Sequence, residues 1–328
     1  MRIVFMGTGE IALPTLEWLI DHCGRGEDEL VAVYTQPDKP VGRKQVLTPP
    51  EVKVVALGSG TPVFQPERLK GNETALAEFA SLRPDLVVVM AYGQILPVGL
   101  LRIPALACVN LHASLLPRHR GAAPIQAAIR DGDVETGITL MHVVPKLDAG
   151  DMILKMAIPI LPDETGGRLH DRLASLGPSV IAEGLERFRA GIPEARAQQE
   201  DLVTYTGKLE REDGEIDWTN TSESIERLIR AYEPWPGTKT SFVLGEERKA
   251  LKIFPPARVC SHCDDAGDVP PGTVLASDVS LWVRCGEGTL ELAGDLQLEG
   301  RKRLPAEAFL RGTSIPVGTI LGTGKIAV

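Results

Sequence analysis

The sequence predicts an α/β fold, a doubly wound and mostly parallel sheet, followed by a smaller C-terminal OB-like β-barrel. In the first half, continuous apolar runs such as RIVFMG, LVAVYTQ and DLVVVMAYG alternate with helical patterns such as ETALAEFASL. Strands that crossover helices bury on both faces have this pattern. Beyond residue 207, short strand-like pieces recur at regular spacing, from TKTSFVL to TLELAGDLQ, which is typical of a small barrel. We therefore expect two domains, residues 1–206 and 207–328.

The other elements follow from local patterns in chain order. We expect a helix in IALPTLEWLIDH, a strand in CVNLHAS and, after a break rich in Pro and Gly, a helix in APIQAAIRDG. GITLMHVVPKLDAGDMILKMAIPI indicates two β segments joined by the turn residues 148–151. A longer helix is expected from about Thr165 through GLERF, and another in Ser222–Tyr232, which the following PWPG ends.

Composition and charge limit the class of protein. With 328 residues, of which 43% are hydrophobic, the chain can bury a sizeable core. No apolar run approaches membrane-spanning length and no charged leader precedes the first strand, so we expect a cytoplasmic protein without a membrane partner. The net charge of −9 argues mildly against nucleic acid as a partner unless basic residues gather on one face.

The five cysteines form no regular framework, which fits free thiols in a reducing compartment. Cys260 and Cys263 have the spacing of a zinc knuckle, but a structural zinc site needs four ligands and no second pair matches them. We therefore expect no metal site and interpret SHCDDAGDVPPG as a polar loop.

The first glycine turn admits a dinucleotide-binding interpretation. Gly7-Thr8-Gly9 follows a predicted strand and opens a helix, with Ala12 at the third position of the fingerprint. The fingerprint also requires an acidic residue at the end of the second strand, where this chain has Gln36, with Asp38 only after a proline. A glycine is sterically required at this turn in many doubly wound folds, so an NAD-dependent oxidoreductase is the less favoured alternative.

A second group of polar residues lies in VNLHAS. Asn110, His112 and Ser114 occupy alternate positions of a predicted strand, so we expect their side chains on one face. Because a Pro-, Arg- and Gly-rich loop follows, this pattern favours a site at the carboxyl end of the strand over a structural polar cluster. Asp148 lies in the turn LDAGD, and turn chemistry alone assigns it to structure.

Positive charges concentrate in the loop QPDKPVGRKQ, residues 36–45. Lys39, Arg43 and Lys44 stand there against the single acid Asp38. An exposed loop with these charges can meet phosphates, although a solvated surface loop is the commoner outcome.

The string HASLLPRHRGAAPIQ, residues 112–126, resembles the signature of the formyltransferases that use 10-formyltetrahydrofolate. Its continuation RGAAPIQ is similar to the branch of that family that acts on methionyl-tRNA, rather than to the glycinamide ribonucleotide or sugar-nucleotide branches. The segments QPDKPVGR, ETGITLMHVVPKLDAGDM, IDW and PWP also follow the family's order, so the resemblance covers nearly the whole chain.

The resemblance implies an N-terminal Rossmann-like catalytic domain and a C-terminal OB-like tRNA-binding domain. It implies formyl transfer from the cosubstrate 10-formyltetrahydrofolate to the α-amino group of methionyl initiator tRNA, in support of translation initiation, without a metal. It places catalysis on Asn110, His112 and Asp148. The folate-binding loop falls on Ser114, Leu115, Leu116 and Pro117, and the tRNA-contact loop on residues 36–53, with Lys39, Arg43 and Lys44.

Acyl transfer passes through a tetrahedral oxyanion, so the site must supply hydrogen-bond donors. Asn110 offers an amide, and Asp148, if it reaches His112, favours the charged imidazole and forms with it a unit that handles protons. The alternatives are a formyltransferase acting on a sugar nucleotide or small amine, and a non-catalytic RNA-binding protein. The sequence leaves the oligomeric state open and is compatible with a monomer.

Overall fold

The computed structural model describes residues 1–26, 28–42, 44–260 and 269–322. They fall into two compact units. The first comprises Met1–Pro124, Glu135–Pro159 and His170–Thr206. The second comprises Ile125–Val134, Ile160–Leu169 and the chain from Gly207 onward, so it also takes two segments from the first half.

The first unit is built on a seven-stranded sheet with two additional short strand pairs. Its strands are β1 (Arg2–Gly7), β2 (Glu29–Tyr34), β3 (Lys39–Val41), β4 (Val46–Thr48), β5 (Val63–Phe64), β6 (Leu86–Met90), β7 (Ala107–His112), β8 (Arg120–Gly121), β9 (Glu135–His142), β10 (Met152–Pro159) and β11 (Tyr205–Thr206). The helices of this half of the chain are α1 (Leu13–Gly24), α2 (Glu51–Gly58), α3 (Glu73–Ser81), α4 (Val98–Leu101), α5 (Pro124–Arg130) and α6 (Gly166–Ala190).

The sheet has the order β10-β9-β7-β6-β1-β2-β5. The five strands from β7 to β5 in that order are parallel, whereas β9 and β10 are antiparallel to their neighbours. Val4, Phe5, Val87 and Val88 are completely buried, as strands covered on both faces require. The predicted doubly wound, mostly parallel sheet is therefore confirmed.

The second unit is rich in antiparallel strands. Its strands are β12 (Thr238–Leu244), β13 (Glu247–Ile253), β14 (Ala257–Cys260), β15 (Val274–Ser277), β16 (Leu281–Arg284), β17 (Thr289–Leu292), β18 (Asp295–Leu298) and β19 (Leu304–Pro305), with helices α7 (Ser222–Ala231) and α8 (Ala306–Gly312). They form two four-stranded sheets, β12-β13-β18-β19 and β14-β17-β16-β15. Both sheets contribute to one apolar core, which includes Trp218, Phe242, Leu290 and Phe309. The predicted C-terminal β unit is confirmed as an antiparallel fold around a single core.

Two further expectations concern cysteines and membranes. Cys23, Cys108 and Cys285 are free thiols, as predicted, but Cys260 is disulfide-bonded, which the sequence did not predict. Cys263 and the polar loop around it lie outside the described residues, and within the described ranges no group of three or more His, Cys, Asp or Glu side chains could hold a metal ion. No helix in the described part of the chain is long and apolar enough to cross a membrane.

Candidate active site

Asn110 and His112 lie at the carboxyl end of β7, between β6 and β9. Their neighbours Val109 and Leu111 are buried, so the strand alternation directs the amide and the imidazole to the other face, as predicted. His112 is only 6% exposed, whereas Asn110 is half-buried. The Asn110 side chain makes no hydrogen bond to any of the described residues, so its amide is available to a ligand.

Two oxygen atoms face the two ring nitrogens of His112. Its Nε2 lies 2.9 Å from the His119 carbonyl oxygen, and this nitrogen must donate because a carbonyl only accepts. Its Nδ1 lies 3.6 Å from Oδ2 of Asp148, which is too long for a hydrogen bond but close for a charge contact. The ring is therefore held between an acceptor of the main chain and a carboxylate.

Asp148 follows β9 in a turn with a left-handed backbone, φ 46°. Turn chemistry predicted that its carboxylate would bond its own backbone, but Oδ2 accepts instead from the Gly121 N–H, at 2.9 Å, on a distant segment. Two residues later the chain approaches β9 so closely that a Cβ on Gly150 would lie 1.8 Å from the His142 carbonyl oxygen. The turn is therefore shaped by long-range contacts that bring Asp148 to His112.

The loop that follows β7 carries the predicted folate-binding residues. Hydrogen bonds from side chains of β9 and β10 hold its main chain. The Thr139 hydroxyl, on β9, donates to the Ser114 carbonyl at 2.7 Å and accepts from the Leu116 N–H at 3.1 Å. The Lys155 ammonium, on β10, donates to the Leu116 carbonyl, and burial lowers the pKa of Lys155. Ser114 and Leu116 are buried, while Leu115 and Pro117 remain partly exposed. Only the last two therefore present apolar side chains to a ligand.

The structure corrects the expectation for Ser114. The strand ends at His112, and the Ser114 N–H turns back to donate to the His112 carbonyl at 2.9 Å. Its hydroxyl donates to the Arg118 carbonyl at 2.7 Å. Ser114 therefore closes the loop instead of extending the polar face of Asn110 and His112.

The first glycine turn has a structural explanation. The N–H groups of Thr8 and Gly9 both donate to the Ala91 carbonyl, at 3.2 and 3.3 Å. A pyrophosphate would need such N–H groups free at this position. A Cβ on Gly7 would lie 2.7 Å from the Phe5 ring, so the glycine is required by packing. The glycine turn, which was the main argument for a dinucleotide-binding site, is therefore explained by packing and hydrogen bonding within the protein.

The predicted tRNA-contact loop contains a hairpin of β3 and β4, which the sequence had not predicted. Lys39 and Lys44 are exposed, and Arg43 lies outside the described residues. Val41, Val46 and Leu47 are 56%, 58% and 64% exposed, which is unusual for apolar side chains. The hairpin therefore offers both positive charge and apolar surface.

Six cations described from Gly207 onward are paired with acids, fewer than half of the Lys and Arg residues in that part of the chain. The pairs are Arg230 with Glu226, Lys239 with Glu215, Lys249 with Glu247, Arg258 with Glu291, Arg303 with Asp295 and Glu233, and Arg311 with Glu307. Exposed pairs of this kind offset the field that attracts phosphates.

Four residues near the site were missed by sequence reasoning: Thr139, Lys155, Arg120 and Gln198. Thr139 and Lys155 had a weak signal, because each is a polar residue in a predicted strand. Arg120 is completely buried and Gln198 is 9% exposed, although both stand in polar stretches that read as surface.

Comparisons with known proteins identify relatives over nearly the whole chain. The Formyl transferase family model matches residues 1–185, and the Formyl transferase, C-terminal domain model matches residues 208–314. The methionyl-tRNA formyltransferase of Akkermansia muciniphila is 48% identical over 314 residues, 95% of this chain and 96% of that protein. The methionyl-tRNA formyltransferase of Geobacter metallireducens is 45% identical over 322 residues, 98% of this chain and 99% of that protein.

Solved structures share the fold. The N-formyltransferase of Helicobacter canadensis, in complex with folinic acid and dTDP-3-aminofucose, superposes with a TM-score of 0.65 at 18% identity, over 89% of this chain and 98% of that one. The resemblance drawn from HASLLPRHRGAAPIQ is confirmed, since the two family models between them match most of the sequence: the chain belongs to the formyl transferase family.

Proposed function

We propose that this protein transfers a formyl group from 10-formyltetrahydrofolate to the α-amino group of methionyl initiator tRNA, in support of translation initiation in the cytoplasm. The observation that carries the proposal is the Asn110 amide, which bonds to none of the described residues, on the same strand as His112, which Asp148 faces. The identity of the acceptor is supported by relatives named methionyl-tRNA formyltransferase, 48% and 45% identical over nearly their full length. The sugar N-formyltransferase that shares the fold is only 18% identical, which disfavours a sugar nucleotide.

The two parts of the chain have different proposed roles. Residues 1–206 hold the formyl-transfer site, and residues 207–328 contact tRNA. Support comes from the two family models, which match residues 1–185 and 208–314. The exposed Lys39 and Lys44 of the β3–β4 hairpin add phosphate contacts to those of the second unit.

The loop of Ser114–Pro117 can bind a flat, partly apolar cosubstrate because it combines exposed apolar side chains with a main chain held by hydrogen bonds. Leu115 and Pro117 supply apolar contact, while Ser114 and Leu116 keep the loop in place through their bonds to Arg118 and Thr139. The cosubstrate supplies a formyl group attached to nitrogen, and the loop holds that group beside the end of β7.

Asn110 is the donor for the developing oxyanion. Its amide has no competing partner among the described residues, so it can turn to the reacting oxygen without breaking a bond. A donor aimed where negative charge develops stabilises the transition state more than the ground state.

His112 and Asp148 handle the proton that the attacking amine must lose and the leaving nitrogen must gain. A positively charged ring has both N–H groups facing acceptors, the His119 carbonyl at 2.9 Å and the Asp148 carboxylate at 3.6 Å. An acceptor therefore lies opposite each ring nitrogen while the proton is in transit.

The experiment that tests the proposal compares three acceptors with 10-formyltetrahydrofolate as donor. These are charged initiator methionyl-tRNA, charged elongator methionyl-tRNA and a free amino sugar nucleotide. We expect transfer to the initiator tRNA well above the other two. Faster transfer to the amino sugar nucleotide would contradict the assignment of the acceptor, and no transfer to any acceptor together with nicotinamide binding would contradict formyl transfer itself.

A further inference from the structure

The turn that carries Asp148 requires support from outside itself. Asp148 has a left-handed backbone, φ 46°, which residues other than glycine adopt only when their surroundings hold them there. Among the described residues, its carboxylate accepts one hydrogen bond, from the Gly121 N–H. The position of this carboxylate relative to His112 therefore depends on what holds the turn.

Gln198 holds the main chain of that turn. Its Nε2 donates to the Asp148 carbonyl and to the Gly150 carbonyl, both at 2.8 Å, so it grips the turn on either side of Ala149. Its Oε1 accepts from Nε of Arg120 at 2.9 Å. Both amide hydrogens and the amide oxygen are thus engaged in a buried position.

Arg120 connects the same turn to the segment that follows α6. Its guanidinium is completely buried and donates to Gln198, to Glu200 at 2.9 Å and to the Tyr205 hydroxyl at 3.5 Å. Glu200 also accepts from Lys146 at 2.9 Å, two residues before Asp148 in the same turn. The hydrogen bonds from Lys146 and Arg120 hold the pKa of Glu200 below its usual range, so this carboxylate remains ionised.

The main chain on both sides of Gln198 is anchored as well. Arg196 exchanges two hydrogen bonds with Met152 of β10, at 2.8 and 2.9 Å. The Arg120 N–H donates to the Thr204 carbonyl at 2.9 Å, beside the β8–β11 pair. The main chain near Gln198 is therefore held by hydrogen bonds to other segments. The residue after Arg120 is Gly121, whose N–H binds the Asp148 carboxylate.

We propose that Gln198 and Arg120 are positioning residues that keep the Asp148 carboxylate directed at His112 during formyl transfer. This inference rests on the proposed function, because it assigns the two residues to the proton-handling unit of that reaction. Arg120 and Gln198 fix the main chain of the turn, while Gly121 fixes its side chain. Both side chains are buried, so we assign them a role that acts through Asp148.

The substitution Gln198→Glu tests the proposal most directly. Glutamate keeps an oxygen for Arg120 but sets a carboxylate oxygen, in place of the N–H donors, against the carbonyls of Asp148 and Gly150. We expect kcat to fall by about tenfold or more, because small displacements of a reacting group cost large factors in rate. The KM values for folate and for tRNA should stay within about twofold, because no substrate contact is lost.

A second readout does not depend on activity. The Gly121 amide reports the Asp148 carboxylate directly, so its NMR resonance should shift and its hydrogen exchange should accelerate in Gln198→Glu. Arg120→Lys keeps the positive charge but loses the Nε donor to Gln198, and we expect the same changes with a smaller amplitude. Arg120→Lys also tests the proposal if Gln198→Glu fails to fold.

The matched control is Asn72→Ala, which removes the side chain that caps α3 by accepting from the Ala75 N–H at 3.0 Å. This variant is less stable but keeps the hydrogen bonds of Gln198 and Arg120 that hold the Asp148 turn. Its kcat and the NMR shift and hydrogen exchange of its Gly121 amide should therefore match those of the unmodified protein. A kcat for Gln198→Glu like that of the control overturns the inference, and so does a fall in kcat without a change at the Gly121 amide. An unmodified protein that fails to formylate tRNA overturns the proposed function instead, and the amide readout still tests the support of Asp148.

Discussion

The loops around Asp148 and the β3–β4 hairpin are both polar connections that contain Gly and Pro. They differ in how far their surroundings are buried. Around Asp148, the side chains of Thr139, Gln198 and Arg120 are buried and bonded to the main chain or to one another. In the hairpin, Val41 and Leu47 are more than half exposed. Under the proposed function, the chain is held by buried hydrogen bonds at the formyl-transfer site and is exposed at the proposed tRNA-contact hairpin.

The two regions differ because of where they lie relative to the sheet. The loop after β7 comes at the end of a central strand, and the Asp148 turn joins β9 to the edge strand β10; hydrogen bonds from neighbouring segments hold both. The hairpin projects beyond β2 and is tied at its base, where Asp38 accepts from Lys53 at 2.8 Å and from Gln65 at 2.8 Å. Those hydrogen bonds hold the pKa of Asp38 below its usual range. Substitutions in the first region should therefore change kcat, and those in the hairpin should change the KM for tRNA.

The largest effect is expected for Asp148→Asn. The amide oxygen can still accept from the Gly121 N–H, but the charge opposite His112 is lost. Because positioned proton transfer contributes about a hundredfold to ten-thousandfold, we expect kcat to fall by about a hundredfold or more. Steady-state kinetics with folate and tRNA varied separately measures this, and a kcat near that of the unmodified protein would remove Asp148 from the mechanism.

A slightly smaller loss is expected for Asn110→Ala. Removal of one oxyanion donor typically lowers kcat by about a hundredfold to a thousandfold. Since the Asn110 amide bonds to none of the described residues, thermal unfolding should remain almost unchanged. A large loss of stability with a small loss of kcat would instead identify Asn110 as a structural residue.

The smallest effect is expected for the hairpin variant Lys39→Gln combined with Lys44→Gln. Loss of two exposed charges should raise the KM for tRNA by about threefold to tenfold and flatten its dependence on salt, because phosphate contacts release counterions. The value of kcat and the KM for folate should not change. Lys70→Gln, which removes an exposed charge outside the hairpin, is the control, and an equal rise in that variant would show only a general charge effect.

Most elements of the first unit were predictable because their signals are local. The apolar run of Leu86–Met90 is completely or nearly completely buried as β6, and GITLMH and MILKMAIP form the antiparallel pair β9 and β10. The hairpin was not predicted, because Pro40 and Gly42 in a polar stretch indicate a loop, and only the pairing of β3 with β4 makes it a hairpin.

The sequence by itself determined that Asn110 and His112 share a face, because the period of a strand is set by its own backbone. It did not determine the direction of Ser114, since the turn after β7 depends on a hydrogen bond to His112 and on Thr139 from another strand. It also could not show that Asp148 reaches His112, because that approach depends on Gly121, 27 residues away, and on Gln198, 50 residues away. Local periodicity produces the elements, but contacts between distant segments decide which polar groups meet, and only the tertiary structure contains those contacts.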